Sequence, residues 1–507
     1  MLKAVILFGV FVLLSVLVSR TVYFSQKSSP VMECKTTDAD FIVLSNLRLN
    51  RFQTALQFQT ISKSAEDYNR EALQNFGDFI VKNFPHLHNS SLVELEYVGN
   101  YSLLYGVKGS NPQLKPYLLM SHLDVVPATN LEEWDAPPFS GDILNDHIYG
   151  RGSIDVKQCV MGILEAVEFL LSTGIQPKRS FYIAFGHDEE VQGNSGAKMI
   201  SKRLKEKGVH TLEFISDEGL PLTEGIIPGI GKAVARQVSI VGVSEKGQVL
   251  LRLSVQDAPG HSSMPPKEST IGILAKAIHK LESNPHPSML GYGAETAMLE
   301  QLAPEMNVIQ RFVIANIWLF KPLLSWIMSQ KPLTNAMIRT VTAVTIFNAG
   351  VKNNIIPPLA EAVVNHRVHP SQTIEEVVEY DRAIIADSRV KIKIESFTDP
   401  HPIAGFTDND FGFQALKTSI RQVWPGSLVV PGIMLANTDT RHYLNFTSNV
   451  YRFSPTYMFP GDQNRFHGIN ERISIKNYEQ VINFFYHLIR NSDQTGVTSV
   501  HVHHQDL

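Results

Sequence analysis

Two adjacent glutamates, Glu189 and Glu190, close the segment Phe185-Gly186-His187-Asp188-Glu189-Glu190 and centre the chemistry this chain can perform. Upstream lie Ser121-His122-Leu123-Asp124-Val125-Val126-Pro127 and Gly150-Arg151-Gly152-Ser153-Ile154-Asp155-Val156-Lys157. Downstream come Ser216-Asp217-Glu218-Gly219 and, far later, Phe466-His467-Gly468. Imidazole nitrogen and carboxylate oxygen are the ligands of a hydrolytic zinc, which keeps an open position for water. Two histidines and three carboxylates over five segments match two zinc ions sharing one bridging carboxylate. The glutamate left over is free to act as general base. Together these residues point to metal-assisted amide hydrolysis.

Asp155 is the choice for the bridge, because its glycine-rich approach lets the backbone come close to both ions. Asp124 follows His122 by two residues and points the same way along an extended segment. It is placed to orient that imidazole through the second ring nitrogen. The side chains of Glu189 and Glu190 diverge, so one ligates and the other reaches the bound water. Taken singly, a His-x-Asp or an Asp-Glu-Glu means little, since acidic pairs usually mark a solvated face. Here three candidates follow short β-type runs, at 117–120, 181–185 and 212–215. Polar residues at the carboxyl ends of buried parallel strands are where open α/β sheets bind their ligands.

These motifs occur in the order found in the co-catalytic di-zinc metallopeptidases, the family that includes aminoacylase, carboxypeptidase S, carnosinase and succinyl-diaminopimelate desuccinylase. From about residue 50 to 495 the chain resembles that family, and within it the secreted members that make and hydrolyse N-fatty-acyl amino acids. The resemblance implies that His122 and Glu218 hold one zinc and Glu190 and His467 the other, with Asp155 between them. It makes Glu189 the base and Asp124 the residue that orients His122. Relatives use either position of Asp217-Glu218, so that choice stays open. The implied substrates are N-acyl amino acids, with fatty acids and amino acids as the products or, in reverse, the reactants.

An α/β fold must position these residues. Residues 50–247 alternate apolar strands with amphipathic helices such as 156–171, which implies a mostly parallel sheet covered on both faces. The pattern changes near Gly247. A half-exposed strand at 249–255 and a helix at 270–281 are followed by strands at 342–347 and 360–368, a helix at 374–386 and a strand at 390–395. That β-α-β-β-α-β order predicts a ferredoxin-like α+β lid domain, residues 248–398, inserted into the catalytic domain of residues 50–247 and 399–495.

Within the lid, His261 in Pro259-Gly260-His261-Ser262-Ser263 resembles the family's lid histidine, which steadies the substrate carbonyl or its oxyanion. Asn354 and Arg367 match lid positions that resemble substrate contacts, and a guanidinium offers a planar fork to a carboxylate. A turn, a cap and a surface charge are the ordinary explanations of these three. Thr438-Asp439-Thr440-Arg441 supplies a rival carboxylate binder. The apolar stretch Val308 to Met328 holds Phe312, Ile317, Trp318, Phe320, Leu324, Trp326 and Ile327 with only Arg311 and Lys321 charged. A buried helix or a homodimer face explains most of it, and Lys321-Pro322 should break any helix midway. It could also bury an acyl chain or meet a lipid or lipoprotein surface.

With 507 residues, 44% hydrophobic and 19% charged, the chain is ordinary globular material. Its formal net charge of -4 gives no electrostatic reason to bind nucleic acid. Residues 1–20 read as a signal peptide, with an apolar run from Ala4 to Val18 that falls short of a bilayer span, and an uncleaved anchor as the rival. Asn89, Asn100 and Asn445 begin glycosylation sequons, which favours a secreted, extracellular protein. Two cysteines, Cys34 and Cys159, make a disulfide framework unexpected. The function that follows is zinc-dependent hydrolysis of N-acyl amino acids. The alternatives are a carboxypeptidase S-like exopeptidase on short peptides and an inactive lipid-binding carrier.

Overall fold

The computed structural model describes residues 2–25, 41–227 and 230–494; Cys34 lies outside them. An eight-stranded sheet forms the centre, in the spatial order Val93–Val98, Ser102–Val107, Phe181–Gly186, Tyr117–His122, Ile215–Thr223, Val450–Met458, Val238–Glu245 and Leu428–Met434. Its four middle strands, from Phe181–Gly186 to Val450–Met458, run parallel. Val238–Glu245 turns antiparallel to them and pairs in parallel with Leu428–Met434. Tyr117–His122 and Val238–Glu245 are buried at every residue, as strands with both faces covered must be.

The strand predicted at 212–215 begins only at Ile215 and runs on to Thr223, so Glu218 lies within it and not after it. Against Val450–Met458 the register runs Asp217 to Arg452 and then Leu220 to Phe453. Glu218 and Gly219 are therefore extra residues, a bulge that turns Glu218 out of the ladder. Only glycine fits at 219, where a Cβ would lie 2.5 Å from the Arg452 backbone.

Helix Lys157–Ser172 reads as amphipathic yet is buried on nearly every side, because helix Ile475–Ser492 packs over it. Its polar residues find partners there: Glu165 meets Arg51 at 3.2 Å, and Glu168 accepts the backbone N–H groups of His86 and Leu87. Cys159, on the same helix, is buried and free of disulfide.

The inserted α+β unit carries a four-stranded antiparallel sheet in the spatial order Val341–Ala349, Leu359–Val368, Gly247–Gln256, Lys391–Thr398. Numbered along the chain that order is 2-3-1-4, the ferredoxin-like arrangement. Helices Thr270–Ser283 and Ile374–Ile385 cover one face, and Gly247–Gln256 alternates buried and half-buried residues accordingly.

Between helix Thr270–Ser283 and strand Val341–Ala349 the chain inserts four more helices: Ala294–Leu302, Val308–Ala315, Ile317–Met328 and Pro332–Ile338. The expected break at Lys321-Pro322 is not where the chain bends. Pro322 sits inside the helix Ile317–Met328, and a 112° turn falls at Asn316 instead. Asn316 is buried, and its side-chain amide donates to the carbonyls of Phe312 and Leu17. Leu17 belongs to the amino-terminal helix Leu2–Ser25, which docks on the bend through that bond and through Arg20 Nε to Ala315 O. At 24 residues this helix is longer than the apolar run suggested, and it is long and apolar enough to cross a membrane.

Candidate active site

His122 ends the strand Tyr117–His122, and Glu189 and Glu190 follow the neighbouring strand Phe181–Gly186. Asp155 is held by the loop between strand His147–Tyr149 and helix Lys157–Ser172. In that loop Gly152 takes φ +92°, and a Cβ there would strike Val125. The Asp155–Val156 peptide is cis. His467 comes from the loop before strand Arg472–Ser474.

The fold joins these segments into two trios that share one carboxylate. His122 Nε2 lies 3.3 Å from Asp155 Oδ1 and 3.6 Å from Glu218 Oε1. His467 Nε2 lies 3.2 Å from Asp155 Oδ2 and 3.2 Å from Glu190 Oε2. Ligands bonded at 2.0–2.1 Å to a tetrahedral zinc stand about 3.3 Å apart, so each trio fits one ion. Of the acidic pair, Glu218 faces His122, whereas Asp217 Oδ1 turns back to accept the Glu218 N–H.

The electrostatics agree with that fit. Burial pushes Glu218 up to about 8, against the pull of His122. Burial, with the charges of Glu218 and Asp439, drives Glu189 well above the carboxylate range. Burial would raise Asp155 too, but its contacts with His122 and His467 outweigh it and hold that carboxyl low. His467 is pushed up to about 10 by Asp155 and Glu190. Four carboxylates crowded into low dielectric demand positive charge, which a divalent metal centre supplies.

Asp124 has a wider part than sequence suggested. His122 Nδ1 bonds its backbone carbonyl at 2.9 Å, and its carboxylate stands 3.4 Å from the same nitrogen. That carboxylate also accepts the N–H groups of Glu189 and Glu190. One side chain thus aligns a histidine and both glutamates. Asp188 instead braces its own loop by accepting the Ser195 and Gly196 N–H groups.

Two residues with no role in the sequence reading prove central. Glu471 is fully buried and accepts the N–H groups of Gly152, Ile154 and Asp155, and its other oxygen meets Arg151 Nη1 at 2.6 Å. Arg151 Nη2 donates to Gly468 O, so this pair ties the Asp155 loop to the His467 loop. Arg151 belongs to the Gly150-Arg151-Gly152-Ser153-Ile154-Asp155 motif, but nothing in the sequence pairs it with a glutamate 320 residues away.

A cavity of about 430 Å³ opens over the trios. Asp155, Glu189, Glu190, Glu218 and His467 line it together with the apolar Leu220, Ile240, Met298, Leu333, Met337 and Ile433. Two guanidiniums stand close: Arg441 Nη2 is 3.6 Å from Glu189 Oε1, and Arg367 bonds Asn437, which lines the cavity.

Other expected contacts are not brought together with the trios. His261 and Asn354 are neighbours on an exposed ladder of Gly260–His261 with Ile355–Ile356, where His261 Nδ1 bonds Ser263 Oγ, and neither lines the cavity. The stretch 308–328 does not line it either. Met298, Leu333 and Met337 come from the flanking helices, while Trp318 and Trp326 are 53% and 63% exposed. The bend at Asn316 joins the stretch to the amino-terminal helix.

Residues 118–491 match the model of peptidase family M20/M25/M40. The chain is 48% identical to the N-fatty-acyl-amino acid synthase/hydrolase PM20D1 of Mus musculus, covering 89% of this chain and 88% of that one. It is 44% identical to the probable carboxypeptidase S-like 2 of Dictyostelium discoideum, covering 95% and 92%. Among solved structures, the M20 family metallo-carboxypeptidase Sso-CP2 of Sulfolobus solfataricus aligns with TM-score 0.60 at 18% identity, covering 89% of this chain and all of that one. Human carnosine dipeptidase 1 aligns with TM-score 0.56 at 14% identity, covering 88% and 96%. These two likenesses speak for the fold.

Proposed function

The chain belongs to peptidase family M20/M25/M40, and from that premise we propose a metallohydrolase that cleaves, and by mass action forms, the amide bond of N-fatty-acyl amino acids. The observation that carries this reading is a single cavity lined both by the carboxylates and His467 of the trios and by aliphatic side chains. A peptidase for polar dipeptides has no use for that apolar lining. At about 430 Å³ the cavity falls within the size range of small-molecule sites.

In this reading two zinc ions, one on His122 and Glu218 and one on Glu190 and His467 with Asp155 between, supply carbonyl polarisation and acidify a water when bound. Glu189 takes the proton of the attacking water and hands it to the amide nitrogen as the C–N bond breaks. Asp124 keeps Glu189 in place through the backbone N–H it accepts. The acyl chain lies against Ile240, Met298 and Met337, and the amino acid carboxylate is drawn to Arg441 or Arg367. His261 and Asn354 keep the substrate contacts that the family resemblance implies. Their ladder stands outside the cavity of its own chain, so that role needs closure of the inserted unit or a second copy paired through it.

The setting proposed is the secretory route. Asn89, Asn100 and Asn445 are exposed, as glycan acceptors must be, and helix Leu2–Ser25 serves as signal or anchor. The exposed apolar face of 308–328 beside that helix suits a lipid surface, the source from which fatty-acyl substrates would come.

The test is turnover by the zinc-loaded chain on acyl amino acids of increasing chain length and on dipeptides. The expected result is kcat/KM rising with chain length by about fourfold per buried methylene, at about 0.8 kcal/mol each. Glu189→Gln should lower every rate at least about 10²-fold with metal retained. Dipeptides turned over faster than long-chain acyl amino acids would favour the carboxypeptidase S-like reading. Unchanged rates in Glu189→Gln would remove Glu189 from the mechanism.

A further inference from the structure

The inserted unit buries a second cluster of metal-binding side chains, none of which lines the catalytic cavity. His286 lies in the connection after helix Thr270–Ser283, His366 on strand Leu359–Val368, and Asp381 on helix Ile374–Ile385. Each is at most 1% exposed. His286 Nε2 stands 3.2 Å from Asp381 Oδ1, and His366 Nε2 stands 2.8 Å from Asp381 Oδ2.

These separations are within hydrogen-bond reach, and against burial the two imidazoles hold the Asp381 carboxyl low, yet no contact among them has the geometry of a good hydrogen bond. His286 Nδ1 and Nε2, His366 Nε2 and both Asp381 oxygens have no hydrogen-bond partner of acceptable geometry. An unsatisfied buried polar group costs about 1–3 kcal/mol, and a charged one more. Four of these atoms, His286 Nε2, His366 Nε2 and the two Asp381 oxygens, lie together and can share one partner. The three side chains converge on a common point, with ligand atoms within 4.8 Å of one another. The spacing is close to that of the two trios in the catalytic cavity, and two imidazoles with a carboxylate are a zinc-type donor set.

The surroundings hold the rings as ligands are held. His366 Nδ1 faces Thr342 Oγ1 at 3.2 Å, so a proton on Nδ1 can be donated there and leave the Nε2 lone pair free. The His286 ring lies against Tyr380 with centroids 4.5 Å apart, and the Tyr380 hydroxyl donates to Pro285 O.

We propose that His286, His366 and Asp381 bind a structural zinc ion, a third metal site separate from the catalytic pair. The ion cross-links a strand and a helix of the inserted unit to residue 286, where the chain leaves for residues 294–338. That segment delivers Met298, Leu333 and Met337 to the catalytic cavity. The third ion therefore anchors the helices that shape the apolar lining.

The experiment is metal analysis of the full chain after zinc loading and dialysis against metal-free buffer. The expected result is three zinc equivalents in the wild type and two in Asp381→Asn and His286→Gln, each retaining turnover of short acyl amino acids. Two equivalents in the wild type would overturn the proposal, as would variants that keep all three. If the variants fail to fold, the double variant His122→Ala with His467→Ala decides the matter, because it depletes only the catalytic pair. It should retain the tightly held lid equivalent through dialysis, and retention of none would overturn the site. The two counts are separable, so failure of the lid site leaves the catalytic assignment standing, and the reverse holds too.

Discussion

Glu471 accepts three backbone N–H groups and one guanidinium, and every one of these bonds belongs to the segment that presents Asp155 or the one that presents His467. A buried ion pair broken on one side leaves an uncompensated charge, at a cost of about 3–5 kcal/mol. Glu471→Gln should therefore lower unfolding free energy by that order and reduce bound metal, because Arg151 loses its counter-ion and the Asp155 N–H its strongest acceptor. Denaturant unfolding and metal analysis on the same preparation check this. Full metal content at wild-type stability would show that the loop holds itself. The same logic applies to Asp124, whose single carboxylate holds the backbone of both Glu189 and Glu190.

At the scale of elements, the insertion of residues 294–338 divides its labour. Helices Ala294–Leu302 and Pro332–Ile338 turn apolar residues into the cavity, whereas the bent pair 308–328 turns them outward. Leu333 is the useful probe, since it lines the cavity yet is 40% exposed, so a change there spares the core. Leu333→Ser should cost long-chain substrates about tenfold in kcat/KM, for roughly 1.4 kcal/mol of lost apolar contact. Acetyl substrates should be untouched, because the carboxylates and histidines do not move. A uniform loss across chain lengths would mean that Leu333 shapes the fold and not the acyl site.

At the scale of the molecule, helix Leu2–Ser25 and the bent pair, both rich in exposed apolar side chains, are joined at Asn316 and Arg20. Twenty-four residues at about 1.5 Å each span about 36 Å, more than a hydrocarbon core of roughly 30 Å. Trp318 and Trp326 of the bent pair are exposed, and indole rings favour the headgroup zone of a bilayer. A chain lacking residues 1–25 with Trp318→Ser and Trp326→Ser should lose co-sedimentation with phosphatidylcholine vesicles while keeping its turnover of short-chain substrates. Vesicle binding that persists in that variant would place the lipid contact elsewhere.

The chemistry was legible in the sequence because ligand identity is a property of residue type and of local motif. His122, Asp155, the Glu189-Glu190 pair, the Asp217-Glu218 pair and His467 could be singled out before any fold, from donor type and from the order of the motifs that carry the family resemblance. The β-α-β-β-α-β order of the inserted unit was legible for a similar reason, because period-2 and period-3.6 patterns are local. What the sequence left open needed distances between remote residues. Whether Asp217 or Glu218 faces His122 was settled by a two-residue bulge against Val450–Met458, a feature of strand pairing and not of composition. Glu471 with Arg151, and His286 with His366 and Asp381, carry no motif spacing, so only packing could join them. The stretch 308–328 is apolar on either reading. Its exposure goes with the turn at Asn316, whose side-chain amide bonds both its own helix at Phe312 O and the amino-terminal helix at Leu17 O.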